Sequence, residues 1–77
     1  MTETRAKELA YRELKNGGSL MVRNPANDEK FIIQVKVEYS LRWFSIRKIG
    51  GGVLRSWFRL SDRQFFNWLL RLEELKK

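Results

Sequence analysis

Between positions 31 and 39 an apolar side chain falls at every second place: Phe31, Ile33, Val35, Val37 and Tyr39, with Gln34, Lys36 and Glu38 between them. A period of two predicts a strand with one buried and one open face. The same alternation runs from Arg42 to Leu60, broken only by Gly50-Gly51-Gly52. Taking the glycines as a loop pairs Ile49 with Val53. Counting outward then pairs Arg47 with Arg55, Ile46 with Ser56, Phe44 with Phe58 and Trp43 with Arg59. In this register Phe44, Ile46, Leu54, Phe58 and Leu60 share a core face, and Trp43, Arg47, Arg55, Trp57 and Arg59 share the other.

A two-residue turn at Ser40-Leu41 pairs Tyr39 with Arg42, Val37 with Phe44 and Val35 with Ile46. That puts the apolar faces of both strands on one side. Ser-Leu carries no Gly, Asn or Asp, so one long bent strand through residues 31–49 competes with this hairpin. Leu20 to Arg23 predicts a further short strand, closed by the loop Asn24-Pro25-Ala26-Asn27-Asp28.

Helical spacing appears at both ends. Residues 3–15 are rich in good helix formers, with Ala6, Leu9, Ala10 and Leu14 on one face, and Gly17-Gly18 supplies a stop. Ser61-Asp62-Arg63-Gln64 is a capping box that starts a helix over 61–76. Phe65, Trp68, Leu69, Leu72 and Leu75 form its stripe. Phe66 and Leu70 widen the apolar arc and suggest a dimer seam. The expected architecture is one α+β domain over residues 1–77. It has an N-terminal helix (3–15), a four-stranded antiparallel meander (20–60) and a C-terminal helix packed on one sheet face.

Charge changes this picture through its location. The net charge is +7, and Arg42, Arg47, Lys48, Arg55 and Arg59 place five basic groups and no acid between Arg42 and Leu60. Basic charge gathered on one element points to a polyanion. Trp43 and Trp57 lie among these cations, and bases stack on aromatic rings whatever their sequence. The face therefore reads as a single-stranded nucleic-acid site. Trp43 and Trp57 would stack bases, and Arg47, Arg55, Arg59 and Lys36 would meet phosphates, with Arg42 and Lys48 assisting from the sheet edge. Arg47 opposite Arg55 is a repulsive pair that an anion would relieve. A competing reading places one or both tryptophans under the N-terminal helix. Another uses the same face, or an apolar helix surface, to dock a partner protein.

Several classes are disfavoured. The chain has no cysteine and no histidine, which removes disulfides, thiolate metal sites and the commonest general base. The lysine precedes the glycines and no helix follows them, so this is not a phosphate-binding P-loop. Glu73-Glu74 has no acid–base partner. The expectation is a protein that is not an enzyme and takes no metal or cofactor. No signal peptide and no apolar run of membrane-spanning length is evident, so a cytoplasmic, nucleoid or nuclear location is expected.

Phe44-Ser45-Ile46-Arg47, the glycines, and Trp57-Phe58-Arg59-Leu60-Ser61-Asp62-Arg63-Gln64-Phe65-Phe66 together resemble the positive cofactor four family of single-stranded DNA-binding transcription coactivators. The resemblance covers roughly residues 31–75. It implies a four-stranded sheet plus helix, a homodimer joined through the helices, and single-stranded DNA held by basic and aromatic strand residues. Arg47 corresponds to the family's strand arginine and Arg59 to the basic residue ahead of its helix. The N-terminal helix lies outside the family core.

Overall fold

The computed structural model describes residues 1–75. Its elements run α1 (Glu3–Glu8, continued by a wider π-helical turn Leu9–Glu13), β1 (Gly18–Asn24), β2 (Glu29–Glu38), β3 (Leu41–Lys48), β4 (Val53–Phe58), α2 (Asp62–Leu70) and β5 (Glu73–Glu74). The strands form one antiparallel sheet in the order β4-β3-β2-β1-β5. The α+β class matches the expectation, but the sheet has five strands and not four, because β5 pairs with β1 beyond the β1–β4 hairpins. The C-terminal helix was expected to reach residue 76, whose structure lies outside the described residues, but α2 ends at Leu70. Arg71 and Leu72 turn the chain instead, and Leu75 N–H donates to the Met21 carbonyl at 2.9 Å, beside the β1–β5 pairing. Leu72 is buried from this turn and not from a helical stripe.

Each helix starts at a side-chain cap. Thr2 Oγ1 accepts from Arg5 N–H at 3.2 Å, and Ser61 Oγ accepts from Gln64 N–H at 3.1 Å while the Gln64 side chain accepts from Ser61 N–H at 2.9 Å. This is the predicted capping box, which satisfies two otherwise orphaned donors. The first helix ends as Gly17 and Gly18 take φ values of 112° and 137°. At Gly17 a Cβ would also sit 3.2 Å from the Val35 carbonyl oxygen, so both conformation and space call for glycine there.

Both helices pack on the same face of the sheet. Ala6, Leu9, Ala10 and Leu14 join Phe65 and Leu69 over Leu20, Val22, Phe31, Ile33, Val35 and Phe44 in one buried cluster. The Phe44 and Phe65 rings, both fully buried, meet with centroids 4.6 Å apart. Phe66 lies 6.1 Å from the Tyr11 ring, and Phe66 and Leu70 are partly buried against the core. Part of the wide apolar arc of α2 thus has a neighbour within the chain, the Tyr11 ring against Phe66.

Two arginines tie the layers together. Arg5 forms a two-pronged pair with Glu74 (2.8 and 2.7 Å) and also reaches Glu8 and Glu13, which joins α1 to β5. Hydrogen bonds from Glu74 first, then Glu13, hold the Arg5 pKa above its ordinary value, so it stays charged. Arg42 donates to the Ala10 carbonyl at 2.5 Å, the Leu14 carbonyl at 3.3 Å and Asp62 at 2.6 Å. It therefore satisfies open carbonyls at the end of the first helix while pairing at the start of α2.

The hairpins correct two expectations. The β2–β3 turn is Tyr39-Ser40 and not Ser40-Leu41, with φ values of 53° and 64°, and it pairs Val37 with Arg42 and Val35 with Phe44. Positive φ at both turn residues is what a tight hairpin requires, even though neither is glycine. The slip from the expected register is two residues, so every side chain keeps its face. The β3–β4 hairpin behaves differently. Phe44 pairs with Phe58 as expected, but Ile46 pairs with Arg55 and Arg47 with Val53. β4 thus carries two more residues than β3 over this stretch, in bulges that include Trp57 at φ 41°.

Candidate nucleic-acid interface

On the side of the sheet away from the helices, side chains lie in rows set by the strand pairing. Lys36 is opposite Trp43, and Gln34 is opposite Ser45. Met21, Ile32, Arg47 and Val53 form a third row across four strands. Arg23 and Lys30 form a fourth. Neither helix reaches these rows, so α1 does not cover the tryptophans.

The bulge decides where Trp57 goes. Trp57 has a positive φ, a costly conformation for a bulky residue. Its ring lies on the open side, with Lys36 Nζ 4.1 Å from the ring centroid, and the residue is 41% exposed. Lys36 also pairs with Glu38 at 3.3 Å. The half-buried Trp43 has the Arg59 guanidinium 5.7 Å from its ring centroid. Ser45, two residues along β3 from Trp43, is almost fully buried on this face. The indole rings and cations thus make a partly closed surface of their own. Each exposed cation–π contact contributes about 0.5–1 kcal/mol.

Of the eight residues expected at the site, five come together on this face: Trp43, Trp57, Lys36, Arg47 and Arg59. Three do not. Arg55 sits on the helix side, opposite Ile46 and with its guanidinium 4.0 Å from the Phe58 ring centroid, because the bulge shifts its parity. The expected Arg47–Arg55 repulsion therefore does not arise. Arg42 shares the parity of Phe44, has a side chain only 10% exposed, and is committed to α1 and Asp62. Lys48, opposite Phe31, has the same helix-side parity at the far end of β3.

Three contributors escaped the sequence reading. Lys30 stands on the open face with no carboxylate at ion-pair distance among the described residues, whereas Arg23 beside it is neutralised by Asp28 at 2.8 Å and Glu73 at 3.2 Å. Ile32 and Met21 give the face a partly buried apolar row. For Lys30 and Ile32 the signal was the parity shared with Gln34 and Lys36 on β2, while Met21 lies on β1 and is placed by its pairing with Ile32. From Lys30 to Lys36 the face runs about 20 Å, six residues at about 3.3 Å each.

Among the described residues no cluster of acidic side chains is placed to hold a metal ion. No described helix is long and apolar enough to cross a membrane. No family model, curated protein or solved structure matches this chain.

Proposed function

We propose that this protein is a non-enzymatic module that binds single-stranded nucleic acid, DNA in preference to RNA, along the open face of its sheet. The supporting observation is the gathering of Trp43 and Trp57 with Lys36, Arg47 and Arg59 on a face that no helix covers. Bases stack on Trp43 and Trp57. Lys36, Arg47, Arg59 and Lys30 meet the phosphates, with Lys30 taking the part first expected of Arg55. Stacking and charge alone make such binding tolerant of sequence. The preference for DNA, and any role in transcription, rest on the resemblance to the coactivator family.

Tryptophan fluorescence tests this reading directly, using single- and double-stranded oligonucleotides at two salt concentrations. Single strands quench the emission, and log affinity falls with log salt at a slope of about −3 for four phosphate contacts. Absent quenching, or an affinity indifferent to salt, would refute it.

A second reading, a small regulator that docks on a partner protein, is favoured by a different observation. On the helix side, Ile46, Arg55, Phe58, Leu60 and Trp68 line a cavity of about 260 Å³ that α2 leaves open. Leu54, next to Arg55 in the chain, is 55% exposed, and among the described residues the outer edge of β4 has no neighbouring strand. A protein partner would engage this edge and leave the Trp43 face free. Leu54→Asp then abolishes the association without changing nucleic-acid affinity.

A further inference from the structure

At the Tyr39-Ser40 end of the sheet, a cavity of about 630 Å³ opens between the β2–β3 turn, the end of the first helix and the start of α2. Its lining includes Tyr11, Lys15, Leu41, Arg42, Arg59 and Asp62. The volume is that of a site for a small organic ligand. Its charges are unevenly committed. Asp62, the acidic group in the lining, is paired with Arg42 at 2.6 Å. Lys15 and Arg59 have no carboxylate at ion-pair distance among the described residues. Tyr11 is 43% exposed although its ring also touches Phe66.

The cavity borders the tryptophan face at Arg59. Arg59 lines it and also lies over the Trp43 ring, and Leu41 precedes Trp43 on the same side of β3. A strand that leaves Trp43 therefore meets Arg59 next, and the cavity lies directly beyond. We infer that this cavity receives one nucleotide unit at the end of the bound strand, its phosphate between Lys15 and Arg59 and its base against Tyr11. The inference rests on the sheet-face reading for the identity of the ligand. It adds a site that uses the N-terminal helix, which the sheet alone does not need for binding.

The test is amide NMR with thymidine monophosphate as the probe, followed by oligothymidylate affinity by fluorescence. In the wild-type protein, shifts centre on Tyr11, Lys15, Ser40 and Leu41. Lys15→Glu, an exposed change that leaves the fold intact by circular dichroism, removes those shifts. It also lowers oligothymidylate affinity about tenfold, or about 1.4 kcal/mol. Tyr11→Leu keeps an apolar contact for Phe66 and weakens the mononucleotide shifts. Shifts confined to Trp43 and Trp57, or an unchanged oligothymidylate affinity in Lys15→Glu, would overturn the inference. The two failures are distinguishable. Cavity shifts without tryptophan quenching by oligothymidylate would sink the sheet-face proposal and, with it, the cavity's place at the end of a bound strand, leaving a separate mononucleotide pocket.

Discussion

On the helix side of β3, Phe44 meets Phe65 and Phe58 and has no exposed surface. On the other side, Trp43 stands opposite Lys36 and under the Arg59 guanidinium, Ser45 opposite Gln34, and Arg47 between Ile32 and Val53. The same eight-residue strand thus carries a finished core and an unfinished surface. Apolar area alone does not distinguish them, because tryptophan is larger than phenylalanine and has at least as much surface to bury. Their neighbours do. Phe44 is enclosed by helices whose own apolar stripes need burial. Trp43 and Trp57 are flanked by Lys36 and Arg59, which shield the rings partly yet keep water and anions near.

Removing bulk from the two sides of β3 therefore has different consequences. Phe44→Ala lowers the stability by about 3–5 kcal/mol, read from the urea midpoint. For a chain of this length, stable by only about 4–12 kcal/mol, that is a large share of the whole. Arg42→Met comes next. It retains length and apolar contact but loses three hydrogen bonds, at a cost of about 2–3 kcal/mol in the same experiment. A change below about 0.5 kcal/mol would show that Arg42 is not a tie between the helices and could serve a ligand instead.

Trp43→Ala moves a different quantity. Single-stranded affinity falls by about 1–3 kcal/mol in a fluorescence titration that follows Trp57. Stability changes by less than about 1 kcal/mol. A variant that unfolds would place Trp43 in the core and erase the distinction between the faces. The smallest effect is the sharpest discriminator. Arg47→Ala makes the log–log salt slope shallower by about 0.7, while Arg55→Ala leaves it unchanged, because the bulge turns Arg55 to the helix side. Equal effects from both would restore the regular hairpin.

The two hairpins explain how much was legible in advance. At the β2–β3 turn the expected register was off by two residues, yet Val35, Phe44 and Ile46 stayed on the core side. An even slip preserves parity, and parity is what a hydrophobic pattern encodes. At β3–β4 the departure comes through bulges, and the parity of Arg55 changes. Exposed β4 residues exert little packing pressure on register, so nothing in the Val53-Leu54-Arg55-Ser56 run announces which residue is extra. The early end of α2 was hidden for a related reason. Leu72 continues the helical spacing, but its burial is reached from a turn that lets Glu73 and Glu74 meet Arg23 and Arg5.

By itself the sequence determined the order of elements as far as the start of α2, the capping box at Ser61, the glycine stop after the first helix, and the separation of Phe44 from Trp43. These depend on local spacing, which side-chain geometry converts directly into faces and ends. Only the tertiary structure decided that both helices share one face, that Arg42 belongs to the scaffold, and that Arg55 leaves the tryptophan surface while Lys30 joins it. Those outcomes depend on competition among distant segments for the same buried area and the same open carbonyls. The candidate interface is what that competition left uncovered.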